Sequence, residues 1–248
     1  MRTLVLGTAI AALAPGLALA GEEVVYDVDG QPYAGYYAAP ESEPRGLVLI
    51  IHDWDGLGDY EQQRADMLAE MGYAAFAVDL FGQGNRPETV EGRRAETGKL
   101  YQDREAMRTR ILAGLETARE RADLPAVVMG YCFGGAATLE LARSGEAEDV
   151  TGYASFHGGL QTPEGQSWES VDTPLLVMHG GADTSVTMDH VATLAQELEA
   201  AGTPYEIQIY SGAPHGFTEF GSDRYQERAD KESWQAFADF LADQFGST

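Results

Sequence analysis

Among its 248 residues the chain has one cysteine, Cys132, and two lysines, Lys99 and Lys231. A solitary thiol can form no intramolecular disulfide, so the fold rests on its core alone. Basic residues are scarce as a class: 16 Lys and Arg stand against 40 Asp and Glu, a formal net charge of -24. Neutralising a phosphate backbone needs a basic footprint, which argues against nucleic acid as a partner. An anionic membrane surface should repel the chain for the same reason. The 29 glycines and 10 prolines form no periodic or low-complexity run, which excludes collagen-like and linker-dominated chains. What remains is 44% hydrophobic residues, enough for one compact domain with a buried core. The surplus of negative charge favours solubility, and it also suits a salty habitat, where screening relieves self-repulsion.

Residues 1–20 read differently from the rest. Arg2 is followed by an apolar stretch over 4–19, broken at Pro15-Gly16, and then by Ala18-Leu19-Ala20 before Gly21. This is the layout of a secretory signal with a small-residue cleavage site. The expectation is an exported protein, periplasmic or secreted, whose mature part, 21–248, is a single domain. No later segment is apolar for long enough to cross a bilayer, so no membrane attachment is expected after cleavage.

Nearly continuous apolar runs at 47–51, 74–78, 126–129, 175–178 and 207–210 have the pattern of strands covered on both faces, as in parallel sheets. Between them, side chains of helical spacing share faces: Met107, Ile111, Leu115 and Ala118 in one segment, Trp234, Phe237, Leu241 and Phe245 in the last. Strands alternating with helices predict an α/β fold, a mostly parallel sheet with helices on both faces. Segments 24–28 and 33–38, split by Asp29-Gly30, predict an antiparallel hairpin at the sheet edge.

In such sheets ligands bind beyond the carboxyl ends of the strands. After 126–129 comes Gly130-Tyr131-Cys132-Phe133-Gly134-Gly135 and then a helical stretch, the strand-turn-helix of a nucleophile elbow with Cys in the nucleophile position. A helix N-terminus at Cys132 should favour the thiolate. After 175–178 a turn supplies Asp183, with Asp189 as a nearby rival, and after 207–210 another supplies His215. Nucleophile, acid, histidine is the chain order used by α/β-hydrolases. The oxyanion hole is expected from the backbone N–H of Phe133 and one from the loop after the first core strand, at Trp54. Phe81, Tyr131 and Phe217, with Trp54, are candidates to wall an apolar pocket. His52, His157 and His179 show no ligand spacing, and the reading is of no metal and no cofactor.

On the elbow around Cys132, together with Asp79-Leu80-Phe81, Phe156-His157-Gly158-Gly159, His179-Gly180-Gly181-Ala182-Asp183 and His215-Gly216-Phe217, the chain resembles the dienelactone hydrolase family of α/β-hydrolases. The resemblance implies hydrolysis of a small-molecule ester or lactone through a thiol acyl-enzyme. Cys132 would be the nucleophile, His215 the base and then the acid, and Asp183 the imidazole's partner. Family members that open dienelactone hold a Glu near the cysteine; here Asp53 stands in that loop, one methylene shorter. They also bind the lactone's carboxylate with two arginines, where this chain has Gln83 and Glu219. Glu219 should repel that carboxylate, so a neutral or differently shaped substrate is expected, with Arg86 as a possible replacement cation. A thioesterase or acyltransferase using the same triad, and an exported protein that only binds a small ligand, are the rival readings. No signature of a particular oligomeric state is present.

Overall fold

The computed structural model describes residues 21–246, so the leader expected at 1–20 lies outside the described residues. Eight strands form one sheet: β1 (Glu22–Val28), β2 (Gln31–Ala38), β3 (Leu47–Ile51), β4 (Ala74–Val78), β5 (Ala126–Tyr131), β6 (Val150–Phe156), β7 (Leu175–Gly180) and β8 (Tyr205–Tyr210), in the order β1-β2-β4-β3-β5-β6-β7-β8. The strands from β4 to β8 run parallel to their neighbours. The hairpin β1–β2 joins the edge antiparallel through β4.

Alternation along the strands sorts side chains into two cores, because successive residues of an extended chain point to opposite faces. Leu47, Leu49, Ile51, Phe76, Val78 and Val128 pack against helices α3 (Arg104–Arg119), α4 (Phe133–Ser144) and α5 (Met188–Ala201). Val48, Ile50, Ala75, Ala77, Val127 and Met129 pack against α1 (Asp59–Glu70) and α6 (Glu227–Phe245). Every residue of β3, β4 and β5 is buried, which is why their sequences carry no polar alternation.

Two elements differ from the sequence reading. Strand β6 carries Thr151, Gly152 and Ser155 among its apolar residues, so it lacks a continuous run; Gly152 is needed there because a Cβ would meet the Phe240 ring at 2.7 Å. Strand β8 is an edge strand, partly solvated, with Ile209 exposed, and so is not covered on both faces as its apolar run suggested. A further helix, α2 (Val90–Gln102), buries only Thr97 and Leu100 and has no apolar stripe to announce it.

Candidate active site

Strand β5 ends one residue before Cys132, which turns the chain sharply with φ +49° and caps α4. Positive φ in a non-glycine residue is strained, and the flanking glycines make the turn possible. A Cβ on Gly134 would lie 2.1 Å from the Ile51 carbonyl oxygen, and one on Gly130 would lie 2.3 Å from Gly134 backbone. The Cys132 N–H donates to the Phe156 carbonyl at 3.0 Å, which ties the elbow to β6.

Three side chains distant in sequence meet at this turn. His215 Nε2 lies 3.1 Å from Cys132 Sγ, and its Nδ1 lies 2.7 Å from Asp183 Oδ2. Asp183 Oδ1 also accepts from the backbone N–H groups of Ser185, at 2.8 Å, and Val186, at 2.9 Å. Burial opposes ionisation of Asp183, but the bonds from His215 and these amides outweigh it and hold its pKa below the usual carboxylate range. The rival, Asp189, sits exposed in the first turn of α5.

The thiol is not poised as the helix N-terminus alone predicts. Burial, reinforced by the nearby carboxyl of Asp53, pushes Cys132 up to about 12, against the opposing pull of the Phe133 N–H and Arg224. Desolvation of a charged sulfur outweighs the partial charge at one helix end. Asp53 is itself buried, with its pKa raised well above normal by burial and by Asp55 and Glu61. Asp53 and Cys132 both line the cleft.

That cleft, about 240 Å³, is walled around Cys132 and His215 by Asp53, Trp54, His157, Ser185, Arg94 and Arg224. Phe81, Tyr131 and Phe217, expected to wall a pocket, are not among its lining residues. Tyr131 is fully buried between Tyr60 and Phe156, each ring 4.9 Å away. It is the last residue of β5, and its side chain belongs to the core formed with α1 and α6. Phe217 is buried against His157 and Tyr210. Phe81 packs on His52 and Phe133, supporting the Phe133 segment from behind. Arg86 is bound to Asp79, at 3.3 Å, and to the Leu57 and Asn85 carbonyls, which makes it a loop tether. Gln83 is exposed. Glu219 is ion-paired with Arg224, so its expected repulsion of an anion is offset, and the rim carries Arg94 and Arg224 instead.

His157, whose position in the sequence shows no ligand spacing, lines the cleft with its ring edge-on to that of His215 at 5.3 Å. A buried chain reaches it from α1: Arg64 Nε lies 3.3 Å from the Tyr60 hydroxyl, which lies 2.7 Å from Thr218 Oγ1, which lies 2.8 Å from His157 Nε2. Arg64 can only donate, and the chain of polar groups from it ends within hydrogen-bond reach of His157 Nε2. Burial holds the pKa of His157 well below normal, and a neutral neighbour does not oppose protonation of His215. Arg64 also pairs with Asp230 of α6, donates to the Thr218 carbonyl at 3.1 Å, and lies over the rings of Phe220, at 4.3 Å, and Trp234, at 4.7 Å. His52 is satisfied by the Asp53 carbonyl and the Leu80 N–H. Among the described residues no group of three or more His, Cys, Asp or Glu side chains is arranged to hold a metal ion.

The sequence pattern of the dienelactone hydrolase family matches residues 33–245. A carboxymethylenebutenolidase of Pseudomonas putida is 26% identical over 227 residues, covering 88% of this chain and 94% of that protein. The crystal structure of a dienelactone-hydrolase-like promiscuous phosphotriesterase from metagenomic libraries is 28% identical, covers 91% of this chain and 98% of its own, and superposes with a TM-score of 0.82. An acylaminoacyl peptidase from Pyrococcus horikoshii, 17% identical with a TM-score of 0.72, covers 92% of this chain and 42% of its own and shares the fold.

Proposed function

The chain belongs to the dienelactone hydrolase family, and we propose on that premise that it hydrolyses carboxylic esters or lactones through a thiol acyl-enzyme on Cys132. The observation that carries the reading is the continuous contact from Cys132 Sγ through both nitrogens of His215 to Asp183, a geometry of nucleophile, base and orienter.

A neutral thiol with so high a pKa needs its proton removed as it attacks. His215 Nε2 takes that proton while Sγ bonds to the ester carbonyl carbon, and Asp183 stabilises the imidazolium. The developing oxyanion is stabilised by the Phe133 N–H and by the loop after β3 at Trp54. Collapse breaks the C–O bond, and the alkoxide leaves with the proton from His215; in a lactone it stays attached as the new hydroxyl. Water, deprotonated by His215, then attacks the thioester, releasing the acid and restoring the thiol. A neutral His157 beside His215 keeps the second imidazole from competing for the proton.

The test is a panel of 4-nitrophenyl esters, simple lactones and dienelactone with the mature chain and with Cys132→Ala. A covalent adduct of acyl mass on Cys132, and loss of turnover in the variant, is the expected result. Unchanged hydrolysis by Cys132→Ala would overturn the proposal and favour the ligand-binding reading. A thioesterase would be revealed by faster turnover of acyl thioesters than of the matching oxygen esters, and an acyltransferase by transfer of the acyl group to an added thiol or alcohol in place of water. Export remains part of the proposal, tested by fractionating cells that express the whole chain: mature protein beginning at Gly21 outside the cytoplasm is the expected outcome.

A further inference from the structure

A larger cavity, about 580 Å³, lies along α4, lined at one end by Ala136, one helical turn on from Cys132. Tyr101, 39% exposed, forms part of its wall, and its ring meets that of Phe133, the residue after Cys132, edge-on at 5.4 Å. Arg104 and Arg143 line the wall together with Gln161 and Thr162. In a chain with 40 acidic residues against 16 basic ones, no acidic side chain is among the lining residues of this cavity.

The two arginines are short of partners. Arg104, Arg108 and Arg143 all converge on the single carboxylate of Glu140, at 2.9, 2.9 and 3.4 Å, and Glu140 is 1% exposed. Among the described residues only Arg108 has a second carboxylate, Glu146 at 2.9 Å. Glu197 is bound by the Thr162 hydroxyl and, among the described residues, makes no ion pair with Arg104 or Arg143. The Arg143 side chain is 3% exposed, its Nε donates to Gln166, and among the described residues its Nη1 has no partner. A buried guanidinium N–H with no acceptor is costly, and desolvation pulls the pKa of Arg143 down to about 10 despite Glu140.

We propose that this cavity is a second subsite, which takes the carboxylate at the far end of an extended ester whose scissile carbonyl lies at Cys132. The proposal rests on the hydrolase reading of the Cys132 site. Cys132 and Arg143 are separated by about 16 Å along the α4 axis at the helical rise, and helix side chains lean back toward the N-terminus, which brings the anion to about 10 Å from the sulfur. A linear diacid of about eight to ten carbons spans that gap; a succinate half-ester does not reach it. Arg94 and Arg224 line the cleft itself, so any preference they impose favours short anionic esters, and chain length separates the two sets of arginines.

The test is kcat/KM for 4-nitrophenyl half-esters of linear diacids from succinate to sebacate, each beside the neutral alkanoate ester of equal length. The expected anionic-to-neutral ratio rises at least about tenfold at the long end, as a charge-assisted hydrogen bond would give. Arg104 opens α3 and is part-exposed, so Arg104→Gln should remove the long-chain optimum without touching the core, and Arg104→Lys should keep most of it. A ratio flat with length, or an optimum untouched in Arg104→Gln, overturns the proposal. Calorimetric binding of free suberate to the Cys132→Ala protein tests the cavity apart from the chemistry. Affinity weakened about tenfold by adding Arg104→Gln sustains the subsite even if no ester is turned over, whereas equal affinity overturns it.

Discussion

Raising the pH should unmask Cys132. Burial and the carboxyl of Asp53 push its thiol up to about 12, against about 8.5 for free cysteine. At pH 8 the thiolate fraction is then on the order of 1 in 10,000, compared with about a quarter for an ordinary thiol. The thiolate is the species that alkylates. Iodoacetamide should therefore modify Cys132 on the order of a thousandfold more slowly than free cysteine at pH 8, and the rate should rise about tenfold per pH unit between about pH 7 and pH 10. The sign follows from the direction of the shift: a raised thiol pKa leaves the neutral form dominant until the pH approaches it. Timed intact-mass spectrometry at constant ionic strength measures the rate, with no second cysteine in the chain to confuse the count. Rapid labelling that stays constant down to pH 6 would refute the reasoning, because it requires a standing thiolate–imidazolium pair with His215. In that case the proton transfer in step with attack would have no place in the mechanism.

Asp183→Asn preserves the shape of the site but inverts the hydrogen bond to His215, and kcat on a 4-nitrophenyl ester should fall by about 10⁴-fold with the circular dichroism spectrum unchanged. Asp230→Ala leaves Arg64 buried beside no carboxylate; urea unfolding should show a loss of about 3 to 5 kcal/mol, the usual result of breaking a buried pair from one side. Glu61 is pushed up by burial from 4.5 to about 7, partly opposed by the N–H groups of Gly58 and of Glu61 itself. The folded state therefore holds that proton more tightly than the unfolded one, and stability should decline as pH rises from 4.5 through 7. Glu61→Gln should flatten that decline in urea midpoints.

The central strands were legible because burial on both faces writes itself as an unbroken apolar run, as in Leu47–Ile51 and Ala74–Val78. Strand β6 was not, since Gly152 lies under Phe240 and polar residues interrupt the run. Cys132, Asp183 and His215 were found from their positions in turns after strands, which chain order alone reveals. The aromatic wall was misassigned because Tyr131 is next to Cys132 in sequence but faces the core packed by α1 and α6. Arg94, Arg143 and Arg224 have no motif to mark them; they arrive at their cavities through the packing of α2, α4 and a loop. The ionisation of the thiol depends on how much water reaches it, and a helix N-terminus read from sequence says nothing of solvent.

Arg64 binds the first turns of α6, through Asp230 and Trp234, to the loop that presents Thr218 and, three residues earlier, His215. Loosening that end of the last helix would slacken the grip on the imidazole while the parallel strands kept their ladder. Heat or a mild denaturant should accordingly silence turnover ahead of global melting, so that activity acts as the earliest reporter of a C-terminal segment far along the chain from the sulfur it serves.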